Sequence, residues 1–259
     1  MSGQSRLVIT GHMHVAQLAL RSGEYHAVLR NLIFAQNGAE EMGLPLSSEE
    51  DATLQRLMGK AHLGLGEYKN AQNCFERALE IDTGRGALAG SILSDTRHVA
   101  DCLTLEHNFE AAKSLYAECI SKLESASDMY DRDFQLAKAY IGLVSVLIDS
   151  KALEGAQQIL ALALDLFLRH DGPRGFWYGR ALTVLAKLQD AQMDTELAEQ
   201  TLTQALQILE TQIGPEHPLR AALMKQLELI ARDKGDEFNV KNLGAAIANI
   251  DQHLRQHDV

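Results

Sequence analysis

The chain has 259 residues, with 35 acidic and 24 basic side chains and a net charge of −11. That balance argues against nonspecific binding to nucleic acid or to an anionic lipid surface. Four prolines, a 5% aromatic share and no sustained alternation of β-branched residues exclude a strand-rich domain. Three cysteines without a CxxC pair support neither a disulfide framework nor a zinc ribbon, so reduced thiols and a cytoplasmic location are expected.

In chain order, residues 1–10 hold one Arg and no long apolar run. No secretory signal is read there, and no segment reaches the length of a membrane span. A triplet of small residues then begins at Ala16, Val28 and Ala35, spaced 12 and 7 apart. It returns as Gly59, Ala71, Ala78, as Ala100, Ala112, Cys119, as Val144, Ala156, Ala163, and as Ala186, Ala198, Ala205, with offsets of 43, 41, 44 and 42 residues. A fixed period in this range predicts a solenoid, whose units bury their apolar faces only against neighbours. Two antiparallel helices approach closely only where small side chains meet. The expected repeats are 9–50, 52–91, 93–135, 137–177 and 179–217, joined near 44–48, 82–90, 124–132, 169–176 and 213–217. None of these connections reads as an interdomain linker. A partial sixth repeat and a capping helix fill 218–259: Leu219, Leu223, Leu227 and Ile230 recur at helical spacing, and Gly235 closes that helix. Leu243, Ile247, Ile250 and Leu254 then form one stripe on a helix over 240–254, expected to close the array with its polar face outward.

The second copy is the clearest, with Gly59, Gly66-Glu67-Tyr68, Ala71, Phe75 and Ala78 in order. This pattern resembles the tetratricopeptide repeat (TPR). The other copies match at the turn and second helix, through Gly23-Glu24-Tyr25, Asn108-Phe109, Lys151-Ala152-Leu153 and Asp194-Thr195. The fifth has no turn Gly, and Gln189 stands where a larger apolar side chain is usual. The period exceeds the family's usual length and resembles repeats of the kinesin light chain type, as does Gly214-Pro215-Glu216-His217-Pro218. The resemblance covers about 9–235. It implies an all-α, right-handed superhelical solenoid of antiparallel helix pairs, about five repeats plus a C-terminal capping region.

No HExxH, GxSxG or Walker loop is present. Gly84 to Gly90 lacks GxGxxG spacing, follows a helix and reads as a flexible connection. His12 and His14 alternate, and His253 and His257 stand four apart, but no third ligand is fixed. They are expected to be solvated, with no metal and no cofactor. His62, where the family usually has Tyr, is expected to pack. Phe176-Trp177-Tyr178 precedes the fifth repeat; it reads as packing at the repeat boundary, with a partner anchor as the sharper alternative.

The resemblance further implies that the first helix of each repeat lines a concave groove. Carried across, the exposed positions include Gln17, Arg21, Arg56, Lys60, Arg97, His98, Asp101, Lys138, Arg180 and Lys187, together with Met13, Thr104, Ile141 and Thr183. Cations dominate this set on an acidic chain, which suits an extended acidic ligand; the alternative is pairing with carboxylates on adjacent helices. The Lys-Asn-Asn-Lys-Arg clamp of some TPR co-chaperones has no full match in either frame of three repeats. The expected function is a non-enzymatic protein–protein interaction adaptor or scaffold binding a peptide or helix. The alternatives are a self-associating structural subunit and a peptide-responsive sensor.

Overall fold

In the computed structural model, residues 2–126 and 129–257 are described, and among them lie twelve α-helices and no strand. They are α1 Ser2–Ser22, α2 Tyr25–Glu41, α3 Ser48–Gly64, α4 Tyr68–Gly84, α5 Ala89–Leu105 and α6 Phe109–Ser125. The second half holds α7 Arg132–Asp149, α8 Ala156–Asp171, α9 Phe176–Ala191, α10 Thr195–Ile213, α11 Pro218–Asp233 and α12 Glu237–His257. Consecutive helices pair as hairpins. Part of the connection expected at 124–132 lies outside the described residues.

All fifteen residues of the five triplets are buried. Their small size is what the packing requires. A methyl group added at Gly59 would meet the Phe75 ring at 2.8 Å. Gly64 presses on the Tyr25 ring and Gly142 on Tyr116 in the same way.

Each hairpin turns on one left-handed residue. In three pairs it is glycine, Gly23, Gly66 and Gly235; in the other three it is His107 (φ 62°), Lys151 (φ 59°) and Met193 (φ 68°). The next backbone N–H returns to a carbonyl five residues earlier: Glu24 to Ala19 at 3.0 Å, Asn108 to Leu103 at 2.8 Å, Asp194 to Gln189 at 2.9 Å. This is the helix stop that glycine favours. The hydrogen bonds hold it even where no glycine is available.

The chain divides into two compact units, residues 2–115 and 116–257. In the first, Ile9, Met13, Ala16, Leu32 and Ala35 form one core with Leu54, Leu57 and Ala61 of α3. The start of α3 is fixed by a capping box, in which Ser47 and Glu50 exchange side-chain and backbone hydrogen bonds. In the second, Leu202, Leu206 and Leu209 of α10 pack with Leu223, Leu227 and Ile230 of α11 and with Ile247 and Ile250 of α12.

Three expected boundaries shift. Phe176-Trp177-Tyr178 does not precede α9 but forms its first turn. Gly84 closes α4, so the connection to α5 is only 85–88, shorter than the flexible 82–90 segment expected. The helix read over 240–254 starts at Glu237 and packs on α11 as the second helix of a sixth pair.

Candidate functional site

The first helices of successive pairs touch one another, α1 against α3 in one unit and α7 against α9 in the other. Two surfaces therefore arise, one in each unit, lined by odd-numbered helices.

In the first unit the centre is a partly buried ionic cluster. Arg56 of α3 donates from Nε to Asp95 Oδ1 of α5 at 2.7 Å and from Nη2 to Asp82 of α4. Arg85 Nε holds the other Asp82 oxygen at 2.7 Å. Both carboxylates are fully buried and Arg56 is 18% exposed. Burial pushes the Asp95 carboxyl up, and Arg56 pulls it back toward ionisation. Arg56 is thus not an open groove cation; it ties three helices together. Asp82 was legible as an anomaly. It continues the core stripe Ala71, Phe75, Ala78 with a charge where an apolar residue belongs.

Arg97 is also engaged. Its Nη1 donates to Asp101 at 2.7 Å and its Nη2 to His98 Nε2 at 2.9 Å. His98 is buried and stacks on Phe75 at 4.6 Å between centroids, so it belongs to the core and not to the lining. Met13, Thr104, Ile141 and Thr183 are likewise buried.

Lys60 differs. It is half-buried beside Arg56 and Arg97, and no carboxylate lies within ion-pair distance among the described residues. Burial first, then the two arginines, lower its ammonium pKa, with Asp95 opposing.

The second unit repeats the motif. Lys187 of α9 follows Ala186 as Lys60 follows Gly59. Its side chain reaches solvent, yet surrounding protein and Arg180 lower its ammonium pKa, with Asp149 opposing. Again no described carboxylate pairs with it. His217, ahead of α11, is held below the usual histidine range by burial and by Arg180. On α1, Gln17 and Arg21 are exposed.

Lys138 of α7 is a packing cation. Its Nζ lies 4.0 Å from the Phe134 centroid and 4.5 Å from that of Trp177. Trp177 stacks on Phe167 at 5.9 Å and meets Phe134 edge-on at 5.7 Å. Its backbone N–H donates to Asp171 at 3.0 Å. Phe176 and Tyr178 are partly buried beside it. Phe134 and Phe167, far apart in sequence, gave no sign of this box.

His62 does not simply pack: its Nδ1 lies 2.5 Å from Glu67 across the α3–α4 turn. His12 bonds Asn31 at 3.0 Å and His253 pairs with Glu216 at 2.8 Å, while the His257 side chain lies outside the described residues. No group of three metal-ligating side chains occurs among the described residues. No helix is long and apolar enough to cross a membrane.

The family model of the tetratricopeptide repeat matches residues 57–84, the α3–α4 hairpin. The hairpin, its left-handed turn and its small-on-aromatic contacts recur along the chain. The fold of the chain is of the TPR type. BtubC (BKLC) from P. vanneervenii is similar in fold to this TPR-type chain, with a TM-score of 0.57 at 14% identity over 97% of this chain and 92% of that one. The apo form of RapI gives 0.63 at 16% identity over 93% and 83%. A Rap protein complexed with competence and sporulation factor gives 0.67 at 11% identity over 97% and 76%. Curated protein sequences give no match. The likenesses carry the TPR-type fold.

Proposed function

We propose that this chain is a non-enzymatic adaptor that binds an acidic peptide or helical segment of a partner protein along its first helices. The observation that carries this reading is the pair of ammonium groups Lys60, half-buried, and Lys187, exposed. They occupy the same register position in two repeats, each beside arginine and each without a described carboxylate partner. Half-burying the Lys60 charge without a partner is costly unless something else gains from it. An acidic segment lying on either surface would supply the missing counter-charge and be steered there by the field. A protein of this fold solved complexed with competence and sporulation factor supports the idea that such an array takes up a partner.

The ion-pair geometry decides how to test it. Reversing Arg56 would strand Asp95, leave Asp82 with Arg85 alone and damage the fold itself. Lys60→Glu with Lys187→Glu changes the field and leaves that cluster intact. Affinity capture from native lysate, read by mass spectrometry, should show an acidic partner retained by the wild type and lost from the double variant, with circular dichroism unchanged. The same partner list from both would overturn the reading.

A further inference from the structure

The hairpin turns of α9–α10 and α11–α12 share an edge that combines exposed apolar side chains with carboxylates. Met193, in the first turn, is 87% exposed, and Phe238, at the start of α12, is 75% exposed. Leu197, in the first turn of α10, is 42% exposed. Lys234 ties the two hairpins together by donating to Glu199 of α10. That hydrogen bond, then the charges of Glu199, Glu196 and Asp236, raise its ammonium pKa, which places carboxylates of both hairpins around one point.

Met193 marks the edge as more than a connection. It is held at φ 68°, at the turn position where three other pairs use glycine. The other two non-glycine turns carry His107 and Lys151, polar side chains suited to solvent. Met193 bears the same backbone strain and buries almost nothing in return. A strained apolar side chain held out in solvent points to a contact outside the chain.

Charge selects the occupant. Residues 187–199 hold Asp190, Asp194, Glu196 and Glu199 against Lys187. Residues 228–241 hold Glu228, Asp233, Asp236 and Glu237 against Arg232, Lys234 and Lys241. Eight acids against four cations leave the edge at −4. The neighbouring α7–α8 turn, with Asp149 and Glu154 against Lys151, keeps the sign. Arg232 and Lys234 are already paired, with Glu228 and Glu199. Arg220 and Lys225, farther along α11, are paired with Glu210 and Asp251. Asp190, Asp194, Glu196, Asp233 and Glu237 are exposed, and no described cation pairs with them. These carboxylates repel nucleic acid, an anionic lipid surface and the same edge of a second copy. We infer that this edge docks a basic amphipathic segment of a partner protein, its apolar stripe on Met193, Leu197 and Phe238 and its cations toward the surrounding carboxylates. The site is separate from Lys60 and Lys187 and opposite to them in charge.

The probe is a synthetic helix of about five turns with leucine along one stripe and lysine on both flanks, titrated by fluorescence anisotropy at low ionic strength. Its counterpart carries glutamine in place of lysine. The lysine form should bind wild type at least about tenfold tighter than the glutamine form, and at least about tenfold tighter than it binds the Met193→Gly, Phe238→Ser variant. Both substituted side chains are exposed and glycine suits the turn, so circular dichroism and the thermal midpoint should show an intact fold. Glu196→Gln with Glu237→Gln should weaken the lysine form about threefold and leave the glutamine form unchanged. The Lys60→Glu, Lys187→Glu variant should bind the lysine form at least as tightly as wild type does, which separates this edge from the first-helix surfaces. No binding, equal binding of the two forms, wild-type affinity in the Met193→Gly, Phe238→Ser variant, or loss only in the Lys60→Glu, Lys187→Glu variant would overturn the assignment. So would concentration-dependent association of the protein alone that Met193→Gly, Phe238→Ser abolishes, since a second copy would then be the occupant.

Discussion

Single residues divide into those that close a packing contact and those that carry charge, and the chain's cations do not all serve one purpose. Arg56 is structural because it pairs with two fully buried carboxylates, Asp95 and, together with Arg85, Asp82. Arg56→Ala should destabilise the protein by about 3–5 kcal/mol. Lys60→Ala removes no ion pair and should change stability by less than about 1 kcal/mol; urea unfolding of both variants checks the contrast. The turn residues give a prediction of opposite sign. Met193 is 87% exposed, contacts little and sits at φ 68°. Met193→Gly should raise stability by about 0.5–1 kcal/mol, because a left-handed side chain costs more than glycine's added freedom in the unfolded chain. A higher thermal midpoint is the expected readout.

At the level of elements, helix ends are held by unlike means. Ser47 and Glu50 form a full capping box at α3, whereas α11 starts with Pro218 at its first position and His217 as its cap. The His217 Nδ1 accepts the Leu219 N–H at 3.0 Å, which requires an unprotonated Nδ1. Burial and Arg180 lower its pKa below the ordinary 6.5. As pH falls through 6.5 the unfolded chain takes the proton first, so stability is full above that value. It is lost progressively as pH falls toward and through the lower folded value. His217→Asn keeps a capping side chain and does not titrate. Its thermal midpoint should fall less than that of wild type between about pH 7 and pH 5. Equal slopes would show that His217 contributes nothing to the acid limb.

On the scale of the whole molecule, successive helix pairs within each unit bury faces against one another. Exposed apolar side chains remain on α1, with Leu7, Val8, Val15 and Leu18, and on α12, with Phe238. Charge is uneven as well, with Glu24 the single acidic side chain among residues 1–39 of an acidic chain. The helical-repeat architecture was legible from residues alone, because close helix packing demands small side chains at fixed positions and nothing else keeps Ala16, Ala71 or Ala198 in register. The left-handed turns were legible at Gly23, Gly66 and Gly235 and hidden at His107, Lys151 and Met193, where hydrogen bonding overrides residue preference. What the lining would hold was only half legible. A count of cations on first helices cannot tell that Asp82, from a second helix, reaches Arg56, or that Phe134 and Trp177 enclose Lys138. Periodicity is a local property of one strand of code, so the sequence by itself determined the repeats and their helices. Pairing between side chains distant in sequence depends on how helices stack, so only the tertiary structure decided that Arg56 belongs to the fold while no described carboxylate pairs with Lys60 or Lys187.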